Sequence, residues 1–291
     1  MVRQSILSAR SDELTVRGSP LPIASELRRG EYFAGLFVVG CTSGFISFIV
    51  NSIKGMGWLD ALFRTSDISV IVWVACIAGV ILISRDQTLG VRPFEIALGA
   101  GFIFLVILPI GPLSWIAVTI LSFYILVVTN VATSRRGAAV LLAATVPMLW
   151  SRLLFSFFAN SILAADASLV SWLIGTQRTG NLVEFADKTG QLVIYAPCSS
   201  LANVSLAFLC WVTLSELLSH KKSGTDLLWC LLACLAVVTV NVSRMAFLGL
   251  SENNYVNFHN QWGDAVVNLI MLGLIVGITA LGLRRELFER I

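Results

Sequence analysis

Residues 113–130 read LSWIAVTILSFYILVVTN, a run without a single charged side chain. Its length approaches the roughly 20 residues that an α-helix needs to cross the hydrocarbon core of a bilayer. The run also lacks the charged stripe at helical spacing that a surface helix of a soluble protein carries. It therefore predicts a membrane-spanning helix.

Runs of the same kind recur on both sides of this one. Membrane spans are predicted at about 32–52, 67–84, 94–110, 113–130, 137–157, 199–217, 226–248 and 264–283. The 291 residues are 57% hydrophobic and 13% charged, whereas soluble domains are about 25% charged, so a water-soluble fold is excluded. We predict an all-α, polytopic membrane helical bundle of about eight transmembrane helices. Residues 1–30 are predicted as a cytoplasmic tail and residues 31–291 as a single membrane domain.

Lys and Arg residues give the orientation, because they are retained on the cytoplasmic side of a membrane protein. With the N-terminus inside, 14 of the 20 Lys and Arg residues fall on the cytoplasmic side, and each predicted inner loop carries at least two of them. The polar first 30 residues are too long for the charged region of a signal peptide. The pattern predicts a multi-pass plasma (inner) membrane protein with both termini in the cytoplasm.

Residues 158–198 form the longest outward segment. Its first part, residues 162–173, is amphipathic and predicts a helix that lies along the membrane interface. Polar and apolar residues then partly alternate in 181–185 and 191–195, and residues 187–190 supply a turn. We predict a small outward β-hairpin that leads into the sixth span.

Cys198 is the one cysteine of six that lies outside the apolar runs. It follows Pro197, a residue type tolerated at a helix start, and Ser199 adds to a polar cluster there. Exposed amides and the helix dipole at such a position stabilise a thiolate, so we expect a lowered thiol pKa and a reactive nucleophile. The alternative is a polar cap on an ordinary span.

Arg244 lies about one turn short of the outward end of the seventh span. An arginine at depth costs roughly 2.5 to 3.5 kcal/mol at mid-span, and such residues usually face the bundle interior. Asn241 is three residues earlier on the same helix face. Arg152 lies near the outer end of the fifth span, and for both arginines the alternative is snorkelling to the interface.

His259 precedes the eighth span, next to Asn260, in the outward loop formed by residues 249–263. The predicted topology places Cys198, Arg244 and His259 at one membrane face. A thiol, an imidazole and a guanidinium suffice for acyl transfer, because they supply a nucleophile, a proton carrier and an oxyanion donor. The alternative is a loop histidine without a catalytic role.

The chain has APCSS opening the sixth span, NVSRMAFLGL closing the seventh and FHNQWG before the eighth. In this order the motifs resemble the exosortase/archaeosortase family of membrane transpeptidases. The resemblance covers about residues 160–283, inside a predicted catalytic half of about 137–283. The family often has Cys-Ser-Gly, whereas Ser200 stands here in place of that glycine.

The resemblance implies a cysteine protease or transpeptidase that cleaves C-terminal sorting signals of secreted proteins through a thioester acyl-enzyme. It implies Cys198 as the nucleophile, His259 as the general acid/base, and Arg244 as the oxyanion or substrate-positioning group. Its substrates would carry a recognition motif, one transmembrane helix and a basic tail, and the hairpin at 181–195 would present the motif. No metal, organic cofactor or nucleic-acid partner is expected, and membrane lipids surround the chain. The supporting or substrate-binding candidates are Asn241, Asn260, Ser199 and Arg152.

The competing class is a non-catalytic transporter or an envelope-assembly scaffold. A transporter favours broken helices or inverted repeats, and the sequence shows no inverted repeat. A scaffold could pack the GxxxG spacings Gly40/Gly44 and Gly273/Gly277 between subunits, although packing within the chain is the expectation.

Overall fold

The structure is a computed structural model that describes residues 27–58, 68–108, 110–221 and 223–284. Most of the predicted cytoplasmic tail, residues 1–26, lies outside the described residues. So do some of the basic residues that set the predicted orientation, among them Arg64, Lys222, Arg285 and Arg290.

Helices make up most of the described chain, which confirms the all-α class. The α-helices are α1 (Arg29–Met56), α2 (Val70–Ser84), α3 (Pro93–Ile107), α4 (Gly111–Val128), α5 (Ala132–Thr145), α6 (Ser151–Ile174), α7 (Ser200–Leu217), α8 (Gly224–Leu248), α9 (Glu252–Phe258) and α10 (Gln261–Gly282). A π-helical turn, Val146–Trp150, joins α5 to α6, and a 3₁₀ turn, Ala196–Cys198, precedes α7.

Within the described residues, six helices are long and apolar enough to cross a membrane: α1, α4, the continuous rod of α5 and α6, α7, α8 and α10. The predicted count of eight is therefore corrected, because the segments at 67–84 and 94–110 form helices of only 15 residues. A 15-residue helix is about 22 Å long, against a hydrocarbon core of about 30 Å. Ser69 caps the start of α2, and the backbone leaves the helix at Leu108 after α3.

The fifth predicted span is part of a helical rod of 43 residues, Ala132–Ile174. It bends at Phe158, whose φ of −120° and ψ of 20° leave the helical region. The predicted interface helix at 162–173 is thus the continuation of α6 beyond this bend and not a separate helix. Its two faces differ as the sequence predicts, since Val170 is buried and Trp172 is exposed.

Side chains at one end of the bundle show how the helices run. The Arg136 guanidinium, at the start of α5, donates to the backbone carbonyls of Glu216 and Leu217 at the end of α7. Since α5 and α7 are antiparallel, Ser200 at the start of α7 lies at the opposite end. The C-terminus of α8 and the N-terminus of α10 lie at the same end of the bundle as Ser200.

A buried ion pair joins α1 to α3 at the end of the bundle where α5 begins. Arg29 Nε donates to Glu95 Oε1 at 2.9 Å, and neither side chain is more than one-tenth exposed. The Tyr124 hydroxyl donates to the same carboxylate at 3.0 Å, and the Tyr32 hydroxyl donates to the Glu95 carbonyl at 3.0 Å. Buried charges are tolerated when paired and hydrogen-bonded in this way, so this cluster clamps α1, α3 and α4.

Small residues let α1 approach its neighbours closely. A Cβ on Gly40 would lie 2.6 Å from the Phe102 ring, and one on Gly44 would lie 2.7 Å from the Trp115 ring. The first GxxxG spacing therefore packs helices within the chain, as expected. At the second, Gly273 and Gly277 on α10, an added Cβ would meet no atom of the described residues within 4 Å.

The predicted hairpin is confirmed and belongs to a small antiparallel sheet of order β1–β2–β3. Its strands are β1 (Arg178–Thr179), β2 (Leu182–Glu184) and β3 (Gln191–Val193). Strand β1 was not predicted, because its two residues are too few to show an alternation of polar and apolar side chains. In the turn, Asp187 accepts hydrogen bonds from the backbone and hydroxyl of Thr189, the arrangement of an Asx turn.

The sheet is fixed to the helix ends by apolar packing. Val183, Leu192 and Ile194 are buried in a cluster with Val170 of α6 and Met245 of α8. In addition, the backbone amide of residue 186 donates to the carbonyl of residue 249, just past α8. The strand-to-helix connection that carries Cys198 therefore starts from a rigid support.

Candidate active site

Cys198 lies in the 3₁₀ turn immediately before α7, and its side chain is half-buried. Its backbone amide donates to the Tyr195 carbonyl at 2.9 Å, which closes the turn. Ser199 is the N-cap of α7, and its hydroxyl accepts from the Leu201 amide at 3.3 Å. Ser199 thus has a structural role: it fixes where α7 begins, two residues after Cys198.

Asn241 and Asp166 anchor this turn from two other helices. The buried Asn241 side chain of α8 donates to the Cys198 carbonyl at 2.7 Å and to the Ser200 hydroxyl at 3.1 Å. The buried Asp166 carboxylate of α6 accepts from the Ser200 amide at 3.1 Å. The Ser200 hydroxyl therefore accepts a hydrogen bond from Asn241 while its backbone amide donates to Asp166.

Arg244 follows Asn241 by one helical turn and points toward the same end of the bundle. Its side chain is only 16% exposed, and its guanidinium donates to the Asp264 carboxylate in the first turn of α10. An arginine near a helix C-terminus and an aspartate near a helix N-terminus each complement the helix dipole. The ion pair therefore ties α8 to α10 as well as fixing the guanidinium.

His259 ends the short helix α9 and is exposed. Its amide donates to the Tyr255 carbonyl at 2.9 Å, and its ring stacks on the Tyr255 ring with centroids 4.8 Å apart. Asn260 then caps α10, because its side-chain oxygen accepts from the Gly263 amide at 2.9 Å. Asn260 thus sets the point where the chain turns from the histidine into α10.

Cys198, Arg244 and His259 line one cavity of about 540 Å³. Its other lining residues are Tyr195, Pro197, Asp264 and Asn268. Among the described residues, no hydrogen bond joins the Cys198 sulfur to the His259 ring, although both side chains line the cavity. A cavity of this volume is large enough to admit a peptide carbonyl group.

The electrostatics at Cys198 differ from the sequence prediction. Burial raises the pKa of the Cys198 thiol, and the Asp264 and Asp166 carboxylates add to the increase. The Arg244 guanidinium opposes this effect without overcoming it. The expected lowering of the thiol pKa is therefore wrong, because desolvation of a thiolate outweighs the helix terminus and the nearby cation. The resting cysteine is a thiol that needs a proton acceptor.

Arg152 lies elsewhere. Its guanidinium sits over the Phe48 ring of α1, 4.3 Å from the centroid, and it does not line the cavity. This cation–π contact explains how α6 accommodates the arginine. Within the ranges that the structure describes, no contact between Arg152 and the Cys198 turn supports the role predicted for this arginine.

Two residues of the cavity wall, Asp264 and Asn268, were not predicted as part of the site, and neither were Asp166 and Tyr255, which contact Ser200 and His259. Asp264 and Asn268 are four residues apart on α10, so their shared face was readable from helical spacing. Asp166 contacts Ser200 over 34 positions in the sequence, which spacing does not reveal, whereas the stacking of Tyr255 on His259 follows the i,i+4 spacing of a helix.

In the described part of the chain, no group of three or more His, Cys, Asp or Glu side chains is arranged to hold a metal ion. No protein-family model, curated protein or solved structure matches the chain. The cavity and the sequence motifs that line it are therefore the features from which a function can be inferred.

Proposed function

We propose that the protein is a membrane-embedded cysteine protease or transpeptidase, with Cys198 as nucleophile, His259 as general acid/base and Arg244 as the oxyanion or substrate-positioning group. The observation that carries the proposal is the single cavity of about 540 Å³ lined by all three side chains. A thiol, an imidazole and a guanidinium that share one cavity are sufficient for acyl transfer.

The reaction begins with a peptide carbonyl between the sulfur and the imidazole. His259 takes the thiol proton while the sulfur of Cys198 forms a bond to the carbonyl carbon, and the negative charge on the carbonyl oxygen faces Arg244. The C–N bond then breaks, the imidazolium returns its proton to the leaving amine, and a thioester remains on Cys198. Water or a second amine attacks the thioester, which releases an acid or a new amide and restores the thiol.

The raised pKa of Cys198 makes the order of these events important. A preformed thiolate–imidazolium pair is disfavoured in the half-buried cavity, so proton removal accompanies attack on the substrate. Asn241 binds the Cys198 carbonyl, and this contact keeps the thiol aimed into the cavity while the proton moves.

The substrate class follows from the resemblance to exosortases and archaeosortases. We propose secreted proteins whose C-terminal tail has a recognition motif, a transmembrane helix and a basic cluster. A topology with both termini in the cytoplasm puts the cavity on the exoplasmic face, where such a tail emerges from the membrane. The sheet of β1–β3 packs beside the Cys198 turn and would present the motif there.

Co-expression with a tail-bearing substrate tests the proposal. Cys198→Ala should abolish substrate shortening, and His259→Ala and Arg244→Ala should reduce it by roughly a hundredfold or more. The matched controls are Cys230→Ala on α8 and His220→Ala, the second histidine of the chain. Continued processing by Cys198→Ala, with normal membrane insertion, would exclude the cysteine mechanism.

A further inference from the structure

Asp264 is the acidic residue of the cavity wall. Its carboxylate binds the Arg244 guanidinium, and its side chain is 46% exposed, whereas that of Arg244 is 16% exposed. Both side chains line the cavity, and the carboxylate is the more exposed of the two. Cys198 lies on the same cavity wall as both groups.

A purely structural role for this ion pair would be to join α8 to α10. That role needs only a contact between the two helices, and both charges already complement their helix termini. It does not require the carboxylate to share a cavity with a thiol. The shared cavity means that the negative charge of Asp264 acts on Cys198 as well as on Arg244.

We propose that Asp264 is a positioning residue that holds the Arg244 guanidinium on the cavity wall and, in the resting protein, withholds part of its positive charge from the Cys198 thiol. This inference deepens the proposed function and rests on it for the effect on turnover, but its effect on the thiol is independent of any substrate. When a carbonyl oxygen acquires negative charge in the cavity, the Arg244 guanidinium can donate hydrogen bonds to that oxygen as well as to Asp264.

Several other groups surround the thiol. The charged and titratable side chains that face it are Arg244 from α8, Asp264 from α10, His259 from the α9–α10 connection, Asp166 from α6 and Tyr195 from its own segment. Asp166 is committed to the Ser200 amide, so changing it would disturb the start of α7. Asp264 can be changed without touching the Cys198 turn.

Substitution Asp264→Asn separates charge from contact. The amide oxygen of asparagine still accepts a hydrogen bond from Arg244, so the guanidinium stays in place while one negative charge disappears. The thiol should then react faster at neutral pH, by about two- to fivefold. Arg244→Gln should change the rate in the opposite direction, because it removes the positive charge.

The measurement uses the purified full chain and iodoacetamide, an uncharged probe whose approach does not depend on the cavity's charge. Mass spectrometry of the peptide that contains Cys198 gives the alkylation rate from about pH 6.5 to about pH 10.5, which is about two units on either side of the pKa of an ordinary thiol. Asp264→Glu keeps the charge and should titrate like the wild type. Glu31→Gln removes an exposed carboxylate at the other end of the bundle and should also leave the profile unchanged.

A profile of Asp264→Asn that overlays the wild type, or that moves to higher pH, overturns the inference. A substrate assay then separates it from the proposed function. Asp264→Ala, which removes the contact too, should slow substrate processing, with partial recovery in Asp264→Glu. If the alkylation profile shifts but the wild type processes no tail-bearing substrate, the proposed function fails and the electrostatic role of Asp264 stands. If the wild type processes substrate and the profile does not shift, the reverse holds.

Discussion

Asn241→Ala is the substitution that most directly tests how the nucleophile is held. It removes the hydrogen bonds to the Cys198 carbonyl at 2.7 Å and to the Ser200 hydroxyl at 3.1 Å. Leaving a buried polar group without its partner costs about 1–3 kcal/mol. For two such groups, one of them only partly buried, we expect the free energy of unfolding to fall by about 2–4 kcal/mol.

The same change should affect chemistry more than stability. Without Asn241, the turn that carries Cys198 keeps its local backbone hydrogen bonds, such as that to Tyr195, and the anchor from Asp166. A displacement of about 1 Å at a reacting group costs on the order of a hundredfold in rate. Substrate processing should therefore fall by about that factor at a temperature where the variant is still folded.

Two assays on one preparation separate these effects. Thermal unfolding in detergent reports stability, and substrate shortening at a temperature well below the transition reports turnover. Thr239→Ala is the matched control, because it removes one side-chain hydrogen bond, to the Leu235 carbonyl at 2.9 Å, from the exposed face of α8. If Asn241→Ala processed substrate as fast as Thr239→Ala, the claim that Asn241 positions the nucleophile would be refuted.

Two further predictions concern the thiol and the opposite end of the bundle. Because burial raises the pKa of Cys198, its alkylation by iodoacetamide should still be rising above about pH 9, the upper part of the ordinary cysteine range; a plateau below about pH 8 would contradict this sign. Glu95→Gln removes the carboxylate that pairs with the buried Arg29, so the free energy of unfolding should fall by about 3–5 kcal/mol. Glu31→Gln breaks only an exposed pair with Arg28 and should cost under about 1 kcal/mol; equal effects of the two changes would argue against a buried clamp.

Local signals in the sequence were enough for the helices and the hairpin. Uncharged runs such as residues 113–130 predict helices by length alone, and the turn at residues 187–190 lies where the Asx turn of Asp187 forms. Helix ends were harder, because they depend on single capping residues. The N-cap at Ser69 begins α2 later than predicted, and the chain leaves the helix after α3 at Leu108. Both positions lie inside apolar runs, in which the sequence does not indicate a helix end.

The site was predictable as far as topology determines it. Consecutive spans alternate in direction, so the start of α7 and the end of α8 must lie at the same end of the bundle. This topology predicts that Cys198 and Arg244 are near each other. Contacts across the cavity were not predictable in the same way. Asp166 reaches Ser200 over 34 positions in the sequence, and only the packing of α6 against α7 shows that the two are neighbours.

The raised thiol pKa and the neutral ion pair point to the same property of the cavity. A permanent thiolate at an aqueous membrane surface would react with any electrophile that reached it, and its rate would not depend on a correct substrate. In the arrangement around Cys198, burial and Asp264 favour the thiol, and the Arg244 guanidinium opposes them without overcoming them. In the proposed enzyme, a bound substrate would exclude water from the cavity and so strengthen its interactions with Arg244 and His259. Reactivity of Cys198 in the proposed enzyme is therefore a property of the enzyme–substrate complex, and in the free protein we expect the Cys198 thiol to react slowly with electrophiles at neutral pH.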